Sequence, residues 1–442
     1  MSALSKYKTY PEYKDSGVEW LGEIPSHWDI KRIQETANII NGFPFDSKNF
    51  NPDKGIPLVR IRDITSSTTE VFVEGYVPKE SLITHNDILV GMDGDFNVSL
   101  WKGKTAALNQ RVACIRSEKE LQQFLYYLLP YNMKIINDLT YFTTVKHLSN
   151  TNIAKIIYAV PHDNSELAKV IDFLDHETAK IDQLIEKQQT LIELLKEKRQ
   201  AVISHAVTKG LDPNVKMKDS GVEWLGEVPE HWYVTPLKYY STMQGGFAFN
   251  SDMFVEEGIQ VLRIGNVYQN TLSLERQPVF IKNELAQLFE NFIVKNNDIL
   301  MSLTGTLGKT DYGFAIKIES DEQYLLNQRV AKITPHYQKI DTNFLLYILW
   351  SDAYLSQLYA LPSGTKQANL SNSDVLNICV TIPNSIEEQK KIAVFLANKN
   401  EKFQLLIEKA EQQIELMKER RTALISAAVT GKIDVRDWQP EQ

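Results

Sequence analysis

Cysteine is almost absent from this chain: there are two in 442 residues, Cys114 and Cys379, each inside an apolar stretch that reads as a strand. Two isolated thiols provide neither a disulfide framework nor a zinc site. Long apolar runs are missing too, since none approaches the roughly 18–20 residues of a membrane span. The segment Met1-Ser-Ala-Leu-Ser-Lys-Tyr-Lys8 lacks the apolar core of a secretory signal, so a cytoplasmic location is expected. Positive charge is not in excess: the net charge is −8, which excludes a protein that grips polyanions by bulk charge alone. No Gly-x-Gly-x-x-Gly loop, no Asn-Pro-Pro-aromatic or Asp-Pro-Pro-aromatic tetrad and no nucleophile, base and orienter set occurs. Gly305-Thr-Leu-Gly-Lys-Thr310 ends like a phosphate-binding loop. It has two residues where four must separate the glycines, with Leu303 at the required glycine, so no nucleotide binding is expected. The 8 histidines are scattered, and His27 and His231 sit in Pro-x-His-Trp turns, so they read as packing residues and no metal site is expected.

What is present is a duplication. Lys14 to Trp28 reads KDSGVEWLGEIPSHW and Lys218 to Trp232 reads KDSGVEWLGEVPEHW, 13 identities in 15 positions. Weaker echoes follow in order. Gly42-Phe-Pro-Phe45 answers Gly246-Phe-Ala-Phe249, Val59-Arg-Ile61 answers Leu262-Arg-Ile264, and Asn86-Asp-Ile-Leu89 answers Asn297-Asp-Ile-Leu300. Asn109-Gln-Arg-Val-Ala113 answers Asn327-Gln-Arg-Val-Ala331, and Leu148-Ser-Asn150 answers Leu370-Ser-Asn372. The offset drifts from 204 to 222 only between these anchors, then holds; from Ile181 to Gly210 against Phe403 to Lys432, 16 of 30 positions are identical without a gap. Two halves therefore share a frame and differ in what the frame carries.

Each half ends in a long charged helix. Asp163 with Glu166, and Ser385 with Glu388, sit at capping-box spacing after Pro161 and Pro383. The first helix places Leu167, Val170, Leu174, Ile181, Leu184, Leu191, Leu195 and Val202 in one heptad frame; the second places Ile392, Leu396, Phe403, Leu406, Ala410, Met417 and Leu424 in the same frame. A single such helix cannot bury its stripe alone, so the two are expected to pair as an antiparallel coiled coil with pseudo-two-fold symmetry. Residues 29–160 and 233–382 have another texture: short apolar runs such as Ile56–Ile61, Val112–Ile115, Val261–Ile264 and Val330–Ile333, separated by Gly, Asn and Asp clusters, with helices expected near 121–137 and 344–361. The fold class expected is α+β: a tandem duplication of one α+β domain followed by a long helix.

In these residues the chain resembles the specificity subunits of type I restriction-modification enzymes. The resemblance rests on Gly17-Val-Glu-Trp-Leu-Gly-Glu-Ile-Pro-Ser-His-Trp28 and its copy at 221–232, and on Pro383, Glu387-Glu-Gln389, Ile392 and Phe395-Leu396. It rests also on Leu416-Met-Lys-Glu-Arg420 and Ala427-Ala-Val-Thr-Gly-Lys-Ile433. The first helix departs at Leu167, where the second has Gln389, and at Lys209-Gly210, where the second has Gly431-Lys432. The resemblance implies a non-catalytic DNA reader with two target-recognition domains, each reading one half of a split sequence in double-stranded DNA. It implies helical spacers between them, giving domains at 1–160, 161–212, 213–382 and 383–442. It also implies partners: two methyltransferase subunits and two ATP-driven restriction subunits. No cofactor is expected on the chain itself; S-adenosylmethionine, and ATP with Mg, are expected on the partner subunits. From another class, a duplicated coiled-coil scaffold that binds proteins and never touches DNA would share the repeat and the helices.

For DNA reading the duplication acts as a filter: polar residues shared by both halves point to scaffold or phosphate, and residues that differ in a matched frame point to base edges. Shared Arg60 and Arg263 are candidates for phosphate. Shared Asn109-Gln110-Arg111 and Asn327-Gln328-Arg329 either tie a loop to the fold or touch DNA. The differing candidates are Arg62 and Asp63 against Gly265 and Asn266; Asp93, Asp95 and Asn97 against Thr304, Thr306 and Lys309; and Thr144, Lys146 and His147 against Lys366, Gln367 and Asn369.

Overall fold

The computed structural model describes residues 6–66, 68–139, 147–361 and 367–440. The chain divides into two compact units, Met1–Gln188 with Gln412–Gln442, and Gln189–Glu411. Each long helix, Asn164–Lys209 and Ile386–Val429, gives one half to each unit.

In the first unit an antiparallel sheet runs in the order Val98–Leu100, Ile88–Gly91, Val112–Arg116, Asn38–Asn41. A second sheet orders Phe50–Asn51, Phe72–Val73, Ile56–Val59, Ala106–Leu108 and Leu82–Ile83, with Ile56–Val59 and Ala106–Leu108 parallel. Strand period decides what each face meets. Leu89, Val112 and Cys114 share a core with Val59, Ala106 and Leu108 of the other sheet. Their neighbours Ile88, Val90, Ala113 and Ile115 face the opposite way, into a core with Phe124, Leu128, Phe173 and Leu174. Fully burying an aromatic or aliphatic side chain is worth about 1.5–3 kcal/mol, so a sheet that buries such side chains on both faces contributes to two cores at once. Such a sheet reads as a continuous apolar run rather than an alternating one, as Asp87-Ile-Leu-Val90 does.

The second unit repeats this arrangement on different residues. Its antiparallel sheet orders Ser241–Gly245, Val330–Pro335, Ile299–Ser302 and Ala315–Lys317; its second sheet orders Phe280–Ile281, Ile259–Leu262, Tyr324–Leu326 and Ile293–Val294, with the corresponding pair parallel. The expected helix near 121–137 runs Lys119–Leu139 with Pro130 inside it. The one expected at 344–361 is broken in two, Thr342–Trp350 and Asp352–Ala360, because Ser351 is extended and its Oγ accepts from the Tyr354 N–H to start a new helix.

The long helices measure 46 and 44 residues, about 65–70 Å each. In the first unit Leu174 and Ile181 share a core with Leu424, Ala427 and Val429; in the second, Ile203, Ala206 and Val207 share one with Ile392 and Leu396. The helices therefore pair antiparallel. Part of the expected seam is corrected. Leu174, Ile181, Leu396, Phe403 and Leu424 are buried and Leu195 and Met417 half-buried, but Leu184, Leu191 and Leu406 are 44%, 43% and 49% exposed. Ile192 and Ile407 are buried and Ile185 half-buried in their place. Adjacent apolar residues, Leu184-Ile185, Leu191-Ile192 and Leu406-Ile407, made two frames possible. The one adopted steps four residues beyond Ile181 rather than three, closer to the 3.6-residue turn.

The helix ends are also refined. Asp163 and Ser385 do accept first-turn N–H groups, from Ser165 at 3.1 Å and from Glu387 at 3.2 Å. The carboxylates of Glu166 and Glu388 do not complete the box. Glu166 instead accepts from Trp28 Nε1, Tyr10 Oη and His27 Nε2, each at 2.8 Å, and Glu388 from Trp232 Nε1 at 3.0 Å with His231 Nε2 at 3.2 Å. The far helix ends stop at Gly210 (φ +76°) and Gly431 (φ +69°). A Cβ on Gly431 would run into the Pro25 ring, and one on Gly210 would lie 3.3 Å from the Trp232 ring. The tryptophan of each Pro-x-His-Trp motif thus sits between the start of one long helix and the end of the other.

Candidate nucleic-acid interface

Matched backbone bonds gather the same loops at the end of the central strand in each unit. Met92 N–H donates to the Arg111 carbonyl and Leu303 N–H to the Arg329 carbonyl, both at 3.0 Å. Leu148 N–H donates to the Met92 carbonyl at 2.7 Å, and Leu370 N–H to the Leu303 carbonyl at 2.9 Å. Asn109 and Asn327 close their turns by accepting from Val112 at 3.0 Å and Val330 at 2.9 Å. Gly42 and Gly246 are needed beside those turns, because a Cβ on either would collide with the Asn109 or Asn327 carbonyl. The shared Asn-Gln-Arg triplets therefore serve as scaffold through their main chain.

In the second unit this scaffold presents a two-stranded ribbon. Thr304–Thr306 pairs antiparallel with Gln367–Asn369, Thr304 opposite Asn369 and Thr306 opposite Gln367. Those four side chains share one face of the ribbon; Ala368, on the other face, is fully buried. Thr306, Gln367 and Asn369 are exposed and Thr304 is covered. The turn beyond is pinned by Asp311, whose Oδ1 accepts from the Thr306 N–H at 2.7 Å, a bond that holds the Asp311 carboxyl below its usual range. Lys309 is exposed in that turn. The P-loop look-alike is thus half ribbon and half turn, leading into the strand Ala315–Lys317 rather than into a helix. A ribbon of this width is one of the two elements that B-DNA's major groove admits.

The first unit has an abbreviated version, a single bridge between Asp93 and His147. The Asp93 carboxylate pairs with His147 Nδ1 at 2.7 Å and with Arg111 Nη1 at 3.4 Å. Arg62, Asp95 and Asn97 are exposed nearby, the Asn97 carbonyl accepting from Gly91 N–H at 2.8 Å. Thr144, Lys146 and Lys366 lie outside the described residues.

Four candidates, Arg60, Asp63, Arg263 and Asn266, have other employment. Asp63 and Asn266 each accept from the main-chain N–H three residues back, at 3.1 Å from Arg60 and 2.8 Å from Arg263, and both are buried. Asp63 also binds Arg60 Nε at 2.9 Å, which engages that guanidinium. Their side chains therefore shape the loop rather than project from it. Arg263 donates to the Gln277 carbonyl. Arg329, whose carbonyl belongs to the scaffold, has an exposed side chain, and among the described residues no carboxylate pairs with it, because Thr304 stands where Asp93 holds Arg111. Only the tertiary pairing of the two loops reveals that difference.

Among the described residues no group of three or more His, Cys, Asp or Glu side chains could hold a metal ion, and no helix is long and apolar enough to cross a membrane. The family model described as "Type I restriction modification DNA specificity domain" matches twice, over residues 25–194 and 229–416. The chain is 30% identical to the type I restriction enzyme EcoBI specificity subunit of Escherichia coli, over 88% of this chain and 82% of that protein. It is 26% identical to the MjaVIII specificity subunit of Methanocaldococcus jannaschii, over 94% and 95%. A solved chain from work on complex assembly and conformational transition of the type I restriction-modification system superposes with a TM-score of 0.65 at 14% identity, covering 92% of this chain and 98% of that one. A domain model that covers most of the chain in two copies, on two units of one architecture, settles the matter: the chain belongs to the type I restriction-modification specificity subunits, the non-catalytic DNA-specificity component of those systems.

Proposed function

We propose that the chain reads a bipartite DNA target, one half with the loops of each unit. Arg62, Asp93, Asp95, Asn97 and His147 serve the first half, and Thr306, Lys309, Gln367, Asn369 and Arg329 serve the second. Recognition domains at 1–160 and 213–382 alternate with helical spacers at 161–212 and 383–442. It assembles with two methyltransferase and two restriction subunits in the cytoplasm, and those partners hold S-adenosylmethionine and ATP with Mg. The observation that carries this reading is the matched frame: identical backbone bonds bring the differing polar loops to one end of the central sheet in both units. Both recognition segments are near neutral in charge, so the partners supply much of the phosphate grip. The test is to exchange residues 233–382 for those of another family member and map methylation in cells that also make the methyltransferase subunit. One half of the methylated sequence changes and the other stays; movement of both halves, or of neither, would refute the two-reader assignment.

A further inference from the structure

Among the described residues, the second unit carries an element with no counterpart in the first. Between Asn266 and Ile281 it is five residues longer than the matched stretch from Asp63 to Val73. The extra length builds a hairpin, Val267–Tyr268 with Thr271–Leu272, whose turn residues Gln269 and Asn270 both have positive φ. The hairpin is anchored to the strand leaving the candidate interface: Asn270 Oδ1 accepts from Ala315 N–H at 2.9 Å, and the Tyr268 ring meets Phe314 at 5.2 Å. Buried Asn266 ties the chain beyond it, donating to the carbonyls of Ser273 at 2.7 Å and Arg276 at 3.2 Å.

Arg276 emerges from this anchored loop. Its side chain passes over Gly265, where a Cβ would touch its Cδ at 3.8 Å, and its guanidinium lies over the Tyr268 ring, 5.2 Å from the centroid. Arg276 and Tyr268 are both exposed, and among the described residues the contact made by that guanidinium is the Tyr268 ring rather than a carboxylate or carbonyl. Gly265 is the position that matches exposed Arg62 of the first unit. The second unit thus has no arginine at that point of its frame, and brings one over the same glycine from eleven residues further along the chain.

We propose that Arg276 is a base-reading residue for the second half-site, taking there the place that Arg62 has in the first unit, with Tyr268 as its positioning residue. This rests on the DNA-reading assignment above. A guanidinium laid on an aromatic face keeps its planar fork of N–H donors free and in a restricted orientation. That fork matches the O6 and N7 acceptors of guanine in the major groove, where a good bidentate pair is worth about 10- to 100-fold in discrimination.

The test uses the full chain assembled with its methyltransferase subunit, by methylation mapping and by DNA binding as a function of salt. With Arg276→Ala, one base pair of the second half-site becomes degenerate, discrimination there falls about 10- to 100-fold, and the first half-site is unchanged. Tyr268→Phe keeps the wild-type motif, whereas Tyr268→Ala relaxes the same base pair. Should Arg276→Ala fail to fold, Arg276→Lys carries the test, because it keeps the charge and loses the fork. An unchanged motif with unchanged rate overturns the proposal. So does weakening that is uniform across sequences with a salt slope lower by about one, which is the signature of a phosphate contact. If the wild-type assembly itself methylates without sequence preference, the DNA-reading assignment fails and Arg276 falls with it.

Discussion

Glu166 gives the sharpest test of how the first unit is held together. Its carboxylate is 6% exposed, and two fully covered donors, Trp28 Nε1 and Tyr10 Oη, converge on one oxygen, Oε1. The other oxygen faces His27, which is partly open to water. Glu166→Ala leaves both buried donors without an acceptor. Each orphaned donor costs about 1–3 kcal/mol, so the expected loss is about 4 kcal/mol. For a unit of this size that corresponds to a fall of about 8–16 °C in midpoint temperature. Glu166→Gln is the control: an amide oxygen in the Oε1 position still accepts from both donors, so its loss stays below about 1.5 kcal/mol. Glu388→Ala in the second unit orphans only Trp232, since half-exposed His231 can turn to water, and costs about 1–2 kcal/mol. Thermal unfolding followed by circular dichroism and tryptophan fluorescence ranks the three. Equal losses for Glu166→Ala and Glu388→Ala, or a Gln variant as damaged as the Ala variant, would refute the hydrogen-bond argument and make bulk charge or packing the cause.

The helix-end glycines predict a second asymmetry. Gly431→Ala meets both positive φ and the Pro25 ring and costs about 2–4 kcal/mol, whereas Gly210→Ala meets positive φ and only a close Trp232 contact and costs about 1–2 kcal/mol; equal urea midpoints for the two variants would contradict this. The thiols should differ in reactivity. Burial, with Asp87 close by, pushes the Cys114 thiol well above its usual range, so native protein at pH 8 yields one reactive thiol to a disulfide reagent, Cys379, and unfolded protein yields two. Two fast equivalents in the native state would show that Cys114 is accessible.

The repeat told much of the story by itself. Two copies of KDSGVEWLGE with constant downstream anchors determined that one domain occurs twice. Runs such as Ile88-Leu-Val90 determined strands covered on both faces, because only a two-sided core leaves no position for a polar residue. The long apolar stripes determined that the terminal helices need a partner. They did not determine the seam, because Leu184-Ile185 and Leu406-Ile407 satisfy two frames at the level of pattern, and packing geometry alone selects between them.

The reading loops were legible only as a set. A sequence comparison aligns positions, so it could pair Asp63 with Asn266 but could not tell that both turn inward onto their own backbone. Nor could it find Arg276, which has no aligned partner and reaches the place of Arg62 through space. The same limit applies to the tryptophans. Pro-x-His-Trp and the helix-end glycine are both conspicuous in each half, yet Trp28 packs beneath Gly431 and Trp232 beneath Gly210, each tryptophan against the end of the other half's helix. Local chemistry made the motifs and the caps. Which cap covers which motif followed from the antiparallel pairing of two helices about 65–70 Å long, a long-range choice that no window of sequence contains.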